Sequence, residues 1–352
     1  MALLSFSNVG ISGLMAAVPG QVINNYEFDR YFSKEEIHDV VEKIGVRERR
    51  FADENTCASD LCFAAADKLL RDMNVDRNEI DLLVFISQTP DYRMPATSVL
   101  LQERLGLPTS AIAFDINLGC SAFLYGLTVA FSMVKTGCIR KALILDGETR
   151  SKVYSLKDRK TGFLFGDGGT AALIEPGERF GNSWFSLNSD GSRESLIKIP
   201  AGGYRKMSSC ETVMEKVVDE YGNIRSDEQG YMNGPDVFNF VIREVPKDFD
   251  RLLDLSRQDV DSIDYFIFHQ ANSYINGFLA KKLKLPAAKI PSTIHKFGNT
   301  SSVSIPLTIA SELNETKKSR LRLLLSGFGV GLSWGTAIIE LNECFIGGVV
   351  EL

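Results

Sequence analysis

The chain has 352 residues, 44% of them hydrophobic and 24% charged, which is the composition of a globular protein with one large domain or about two smaller ones. Its formal net charge of −6 argues against a nucleic-acid surface, because nucleic-acid-binding domains are usually strongly basic. The six cysteines include no CxxC pair and fit neither a zinc site nor a disulfide framework. We therefore expect no bound metal and a reducing compartment.

The N-terminal stretch MALLSFSNVGISGLMAAVPG is apolar but has no cationic leader. We interpret it as a first buried strand and not as a signal peptide. No apolar run in the sequence reaches the length of a membrane span. These features predict a cytoplasmic protein that makes no membrane contact.

Short apolar runs alternate with helical patterns through the rest of the first half. The patterns predict strands at 81–87, 111–116 and 141–148, and helices at 59–73 and 97–108. Because the strands are apolar on both faces and are joined by helices, we expect a largely parallel sheet covered on both sides.

The second half repeats this plan, with strands predicted at 264–270 and 320–328 and helices at 273–283 and 301–313. NVDRNEIDLLVF in the first half resembles SRQDVDSIDYFIF in the second, and GTAALIE resembles GTAIIEL. These matches predict an α/β fold built from two similar halves, 1–175 and 176–352. The join lies within 175–229, which is rich in Gly, Ser and charged residues.

The segment LGCSAFLYGL places Cys120 between a glycine and a serine, before a stretch that is apolar nearly all round. Such a helix is expected to lie in the middle of the domain. A helix start favours negative charge and lowers the pKa of a cysteine, so Cys120 is a candidate nucleophile. The alternative is a packing role, because cysteine is among the most buried residue types.

Two residues of the second half are candidate partners for this thiol. His269 ends an apolar strand, and ligands of open α/β sheets bind at the carboxyl ends of strands. Asn299, in KFGNTSSVSIP, precedes a helix much as Cys120 does, although an exposed turn residue is the ordinary interpretation. Of the other histidines, His38 is expected to be solvated on a charged helix, and the role of His295 stays open.

Two glycine-rich segments are further candidates. Residues 165–169, FGDGG, lack the lysine of a phosphate-binding loop and are interpreted as a tight turn. Residues 327–331, GFGVG, precede a strand, and their backbone N–H groups are candidate oxyanion donors.

Several of these motifs occur together, and in the same order, in a known family. The chain resembles 3-oxoacyl-acyl-carrier-protein synthase III, a condensing-enzyme family of the thiolase superfamily, over nearly its whole length. The motifs that carry the resemblance are IGVRERRFADENTCASDL, GCSAFLYGL, LFGDGGTAALIE, FHQANSYINGFLAKKL, FGNTSSVSIPL and SGFGVGLSWGTAIIEL.

The resemblance implies a thiolase-like, five-layered αβαβα fold, a homodimer and a catalytic triad of Cys120, His269 and Asn299. It implies acyl transfer to the cysteine from a coenzyme A or carrier-protein thioester, with no further cofactor. Decarboxylative condensation with malonyl-acyl carrier protein would follow. The backbone N–H groups of Cys120 and Val330 would form the oxyanion hole.

Four further positions carry over from the family. Arg159 matches an arginine near the coenzyme A entrance. Lys281 and Lys282 match a basic pair that docks the acidic carrier protein, although a solvated helix face would also explain them. Met94 matches a residue that reaches into the acyl pocket of the partner subunit.

The chain also departs from the family pattern. Asp39 and Lys43 stand where a Trp and an Arg usually stack on adenine, Pro235 replaces a pantetheine-contacting Asn, and Tyr274 replaces an Arg. An irregular insertion is expected at about 204–229. These changes favour a longer or carrier-bound acyl starter over acetyl-coenzyme A.

Three functions remain open at this point. The first is decarboxylative condensation, which the intact His269 and Asn299 favour. The second is transfer of the acyl group from Cys120 to an alcohol, an amine or another nucleophile without decarboxylation. The third is a non-catalytic partner subunit or binding protein, against which the intact Cys120 argues.

Overall fold

The computed structural model describes residues 3–352. In these residues the α-helices are, in chain order, α1 Lys34–Ile44, α2 Ala58–Asp72, α3 Thr97–Arg104, α4 Ala122–Val134, α5 Gly234–Ser256, α6 Ser273–Lys282, α7 Ile294–Phe297 and α8 Ser304–Glu312.

The β-strands of the same residues form two large sheets and three short two-stranded ladders. They are β1 Leu3–Phe6, β2 Val9–Val18, β3 Val22–Asn24, β4 Glu48–Arg50, β5 Ile80–Ile86, β6 Ile112–Ile116, β7 Lys141–Thr149, β8 Asp167–Pro176, β9 Ser183–Ser189, β10 Ile197–Lys198, β11 Lys216–Val217, β12 Ile224–Arg225, β13 Tyr231–Met232, β14 Tyr265–Phe268, β15 Arg320–Gly329, β16 Ser333–Asn342 and β17 Phe345–Glu351.

The predicted strands and helices are confirmed to within a few residues at each end. The expectation of a largely parallel sheet holds for the strands that were predicted, because β5 is parallel to β6 and β7, and β14 is parallel to β15. Each large sheet as a whole is nevertheless mixed. In the first sheet, ordered β17-β2-β8-β7-β5-β6, β8 runs antiparallel to both of its neighbours. In the second, ordered β1-β9-β16-β15-β14, only β14 and β15 are parallel. Only residues 330–332 separate β15 from β16, which is far too short for a parallel crossover.

The two sheets and their helices form five layers. Helices α2 and α3 cover the outer face of the first sheet, and α5 covers the outer face of the second with α6 packed against it. Helices α4 and α8 lie between the sheets in the largest hydrophobic core. The order β8-β7-β5 in one sheet recurs as β16-β15-β14 in the other, with the same strand directions. The predicted αβαβα architecture of two similar halves is confirmed.

The prediction that the helix after Cys120 is buried is confirmed. Nine of the thirteen residues of α4 are buried, and the helix contacts strands of both sheets. Its hydroxyls all have acceptors: Tyr125 donates to the carbonyl of Asn188 in β9, Thr128 donates to that of Leu124, and Ser132 donates to that of Thr128. This bonding satisfies polar groups that burial would otherwise leave without partners.

The first and last strands of the chain each pair with the sheet that is formed mainly by the other half of the sequence. The N-terminal stretch forms two strands and not the single buried strand predicted, because β1 is half exposed and pairs with β9 of the second sheet. Strand β2 is fully buried in the first sheet, and β17 at the other end of the chain pairs with it. Each large sheet therefore contains one strand from the opposite end of the sequence.

Two segments differ from, or add to, the sequence interpretation. The GDGG segment is not a tight turn, because β8 begins at Asp167 and its glycines pack closely against α2 and α8.

The 23-residue helix α5 was not predicted. It contains Pro246, which ordinarily interrupts a helix, and it is stabilised by an apolar face packed on the second sheet.

The segment 204–229 has the irregular backbone expected of an insertion, with one short hairpin formed by β11 and β12. An ion pair of 3.0 Å between Arg225 and Asp158 ties this segment to the loop after β7. Within residues 3–352, no helix is long and apolar enough to cross a membrane. The same residues contain no cluster of three or more His, Cys, Asp or Glu that could bind a metal ion.

Candidate active site

Cys120 lies in the turn between β6 and α4, two residues before the first residue of the helix. The residue is half-buried and lines a cavity of about 320 Å³. The end of β15 packs directly against it, since a Cβ at Gly329 would lie 2.6 Å from the Cys120 sulfur. Glycine at position 329 therefore allows the loop of the second sheet to contact the thiol.

His269 follows the last residue of β14, as predicted, and its side chain is buried. Its ring is held on two sides: Nδ1 lies 2.8 Å from the Ser304 hydroxyl, and the edge of the ring packs against Phe328. The ring lines the same cavity as the Cys120 thiol and lowers the pKa of that thiol. Because Nδ1 faces Ser304, Nε2 is the nitrogen that faces the sulfur.

Asn299 is buried, so it is not the exposed turn residue that the sequence alone would ordinarily suggest. Its carboxamide orientation is fixed at both ends. Nδ2 donates to the Ala271 carbonyl at 3.3 Å, and Oδ1 accepts from the Ser301 backbone N–H at 2.9 Å. The second N–H of the amide is left for the cavity, which Asn299 lines together with Cys120 and His269.

The pKa of Cys120 is lowered to about 7. Burial acts to raise it, but the charge and hydrogen bond of His269 outweigh the burial, with help from Arg150 and the Val330 backbone N–H. The thiolate is the reactive form of cysteine, so the site favours nucleophilic attack near neutral pH.

Alkylation of Cys120 by iodoacetamide should rise about tenfold per pH unit below pH 7 and level off above it, because the thiolate fraction saturates there. Peptide mass spectrometry across pH 5–10 would measure the rate at this cysteine. The control is the same thiol in the urea-unfolded chain, where the rise should continue to about pH 8.5. A native rate that is still rising above pH 8 would contradict the lowered pKa.

Sequence reasoning missed a polar group beside the sulfur. Arg150 is buried, lines the cavity and donates from Nη2 to Gln88, Glu148 and Ser301. The Ser301 hydroxyl lies 3.9 Å from the Cys120 sulfur. The sequence contained a signal for this group, because Glu148 and Arg150 lie at the carboxyl end of β7. His269 was identified by the same rule, that ligands bind at the carboxyl ends of strands.

A second cavity, of about 490 Å³, adjoins the first. The residues that line both are Leu164, Met232, Gly234, Asn272 and Ile275. Its lining includes the cations Lys43, Arg159 and Lys160, and the departures Pro235 and Tyr274. The insertion contributes Tyr221 and Asn223 to the same wall. Arg159 also forms an ion pair with Glu36 at 2.8 Å.

The remaining sequence candidates lie outside both cavities. Lys281 and Lys282 are exposed on the last turn of α6, and Lys282 donates to the Ile242 carbonyl at 2.7 Å. Met94 is 81% exposed on the loop before α3. His38 is exposed on α1, as expected, and so is Asp39. His295 is exposed on α7 and does not line the reaction cavity.

A thiol of lowered pKa at the start of a buried helix, facing an imidazole and a carboxamide in an αβαβα fold, defines a condensing enzyme of the thiolase-fold class. The family models agree with this class. Residues 114–191 match 3-oxoacyl-[acyl-carrier-protein] synthase III, and residues 253–341 match its C-terminal region. The β-ketoacyl-[acyl-carrier-protein] synthase III of Clostridioides difficile is 35% identical over 95% of this chain and 98% of its own length. The chain belongs to the 3-oxoacyl-acyl-carrier-protein synthase III family.

Solved structures give the same result. The 3-oxoacyl-acyl-carrier-protein synthase of Burkholderia xenovorans is 39% identical, with a TM-score of 0.93 over 100% of this chain and 99% of its own. The β-ketoacyl-acyl-carrier-protein synthase III of Thermus thermophilus is 32% identical, with a TM-score of 0.80 over 94% of this chain and 98% of its own.

Proposed function

We propose that this acyltransferase loads an acyl group from a thioester onto Cys120 and condenses it with malonyl-acyl carrier protein, giving a 3-oxoacyl-acyl carrier protein and carbon dioxide. The observation that carries this proposal is the convergence of Cys120, His269 and Asn299 on one cavity. Each of the three supplies a group that one step of the reaction needs: a thiolate, a base that can also donate, and a neutral donor.

In the first half-reaction, His269 Nε2 takes the thiol proton of Cys120. The thiolate forms a bond to the acyl carbon, and the oxyanion that develops accepts hydrogen bonds from the backbone N–H groups of Cys120 and Val330. The loop that holds Val330 supports this arrangement, because the neighbouring Gly329 packs against the Cys120 sulfur and the Val330 N–H lowers the pKa of that thiol. The intermediate then expels the donor thiolate, which takes the proton from His269.

In the second half-reaction, the malonyl thioester loses carbon dioxide, and the electron pair of the broken bond passes into an enolate. The free N–H of Asn299 and the N–H of His269 Nε2 donate to the enolate oxygen. The Ser304 hydroxyl donates to the Ser301 carbonyl at 2.8 Å, so it accepts from Nδ1–H. Nε2 is then a base in the neutral ring and a donor in the protonated ring. The enolate carbon attacks the acyl-cysteine, the thiolate of Cys120 leaves, and a proton from solvent restores the thiol.

The outer cavity is proposed as the entrance for the thioester arm. Lys43, Arg159 and Lys160 place positive charge along its wall, which suits the phosphates of coenzyme A or of a phosphopantetheine arm. The exposed Lys281 and Lys282 are proposed to dock the acidic acyl carrier protein. The exposed ring of Tyr221 offers an aromatic face in this wall, where the usual stacking tryptophan is replaced.

We further propose a homodimer in which Met94 completes the acyl pocket of the partner subunit. An 81% exposed methionine that does not line the cavity of its own chain supports this role, because an apolar side chain is stabilised by contact with a second surface. The six free cysteines support a reducing compartment such as the cytoplasm. The two half-reactions balance with thioester substrates alone, so we propose no further cofactor.

The proposal is tested by incubating the protein with a panel of acyl-coenzyme A and acyl-carrier thioesters, followed by intact mass measurement. Retention of one acyl group is expected, and addition of malonyl-acyl carrier protein should then release carbon dioxide and a 3-oxoacyl product. Acylation of an alcohol or amine without carbon dioxide release would support simple transfer instead. Absence of a mass increase with every donor would overturn the enzymatic proposal.

A further inference from the structure

The reaction cavity contains a buried guanidinium whose charge helps to lower the pKa of Cys120 but whose remaining N–H donors the proposed mechanism does not use. Arg150 follows the end of β7, and its residue surface is only 6% exposed. The side chain lines the same cavity as Cys120 and His269. Burying an arginine beside the attacking thiol has a large desolvation cost, so the groups around it must compensate for the lost hydration.

The hydrogen bonds that Arg150 makes within residues 3–352 all leave from one nitrogen. Nη2 lies 2.7 Å from Gln88 Oε1, 3.0 Å from Glu148 Oε1 and 2.8 Å from the Ser301 hydroxyl. Nε is buried and has no partner in this described part of the chain. A guanidinium has five N–H donors in a planar fork, and the buried Nε cannot be reached from the cavity. The two N–H groups of Nη1 form no hydrogen bond in the same residues, so they are the donors left for a ligand in the cavity that Arg150 lines.

These donors lie close to the position that the acyl group occupies on Cys120. The Ser301 hydroxyl bridges the two residues, because its oxygen accepts from Arg150 and lies 3.9 Å from the sulfur. Gln88, which accepts from Arg150, also lies close to the nucleophile. Its side-chain oxygen would lie 2.7 Å from a Cβ atom at Gly119, the residue before Cys120. A purely alkyl starter would leave the remaining N–H groups of Arg150 facing hydrocarbon, which is unfavourable for buried donors.

We propose that Arg150 is a specificity-determining residue that selects an acyl group bearing a neutral oxygen, a hydroxyl or a carbonyl, on the third carbon. This inference rests on the proposed acylation of Cys120. An oxygen on that carbon is only a few bonds away from the Cys120 sulfur, and it accepts a hydrogen bond from the remaining N–H groups of Arg150. A site built to bond such an oxygen rejects the analogue that lacks it.

Charge balance selects a neutral oxygen over a carboxylate. Glu148 is fully buried and already pairs with the guanidinium at 3.0 Å. Thr89 and the Gln88 backbone N–H bond to the same carboxylate, so Glu148 is fixed in place. A second carboxylate on the substrate would add an unbalanced buried charge beside Glu148, whereas a hydroxyl or carbonyl adds none.

The test compares how efficiently butyryl-coenzyme A, 3-hydroxybutyryl-coenzyme A in both configurations and succinyl-coenzyme A acylate Cys120, as kcat/KM from intact mass time courses. Butyryl and 3-hydroxybutyryl groups differ only by the hydroxyl, so their ratio isolates the proposed contact. In the unmodified protein, one 3-hydroxybutyryl thioester should react about tenfold faster than butyryl-coenzyme A or better. The succinyl thioester should be the poorest donor.

The variant test uses Glu148→Gln combined with Arg150→Met, because removing Arg150 alone leaves a buried carboxylate without its partner. The double variant should reduce the hydroxybutyryl-to-butyryl ratio to about one while still forming butyryl-Cys120. The matched control is Arg140→Met, an exposed arginine just before β7 at its opposite end, which should leave the ratio unchanged. A structural role for Arg150 would lower both rates together and leave their ratio intact.

Three results would overturn the inference: equal rates for butyryl and both hydroxybutyryl thioesters, an unchanged ratio in the double variant, or a preference for the succinyl thioester. In each case Cys120 is still acylated, so the proposed function stands. Acylation of Cys120 by none of these thioesters, offered both on coenzyme A and on acyl carrier protein, overturns the proposed function, and this inference with it. The measurement on the unmodified protein stands alone if the double variant does not fold.

Discussion

Cys120→Ser should abolish retention of an acyl group and lower the rate of 3-oxoacyl product formation by at least about a thousandfold. The native thiol reaches a pKa of about 7 through His269, Arg150 and the Val330 N–H, whereas a serine hydroxyl stays protonated in the same surroundings. Intact mass after incubation with an acyl-coenzyme A reports the first effect. Carbon dioxide release from malonyl-acyl carrier protein reports the second.

Cys210→Ser is the control for this variant, because Cys210 is an exposed free thiol in the insertion. It should keep both acyl retention and product formation. Peptide mapping of the unmodified protein should place the acyl group on Cys120. An adduct mapped to another cysteine, or one that persists in Cys120→Ser, would show that the nucleophile lies elsewhere.

Asn299→Ala should lower carbon dioxide release and condensation about 10²- to 10³-fold while Cys120 still accepts an acyl group. In the proposed mechanism the carboxamide donates to the enolate that forms on loss of carbon dioxide, and the first half-reaction does not need this donor. Separate measurement of acylation by intact mass and of condensation by product formation would resolve the two steps. Equal loss in both would contradict a role confined to condensation.

Asn299→Asp separates donation from support of the neighbouring loop. Its carboxylate can still accept from the Ser301 backbone N–H, which Asn299 Oδ1 accepts at 2.9 Å, but it has no N–H to offer the enolate. We therefore expect condensation to be lost in this variant as well. Near-native condensation in Asn299→Asp would show that Asn299 acts only by shaping the turn.

The helices and strands that have a clear local pattern of apolar residues could be predicted from the sequence. Helix α4 is apolar on nearly every side and so had to be buried, and the strand ending in YFIF placed His269 at a carboxyl end. Helix α5 was missed because Pro246 argues against a helix at the level of propensity. Its apolar face on the second sheet, formed by residues far away in sequence, overrides that local cost.

The directions of the strands were not available from apolar runs. A strand buried on both faces has the same pattern whether its neighbour is parallel or antiparallel, so the mixed order of both sheets could not be inferred from hydrophobicity. The exchange of β1 and β17 between the sheets also depends on pairing between opposite ends of the chain.

The sequence by itself determined the chemistry of this protein: a cysteine before a buried helix, a histidine at a strand end and an asparagine before the matching helix. The tertiary structure decided their environment, because the pKa of Cys120 depends on groups from three separate parts of the chain. It also decided the position of Arg150, which lies beside the cavity of Cys120 because β7 ends next to β5 and faces the loop that holds Ser301. Electrostatic effects depend on distance and burial, and these exist only once the chain has folded.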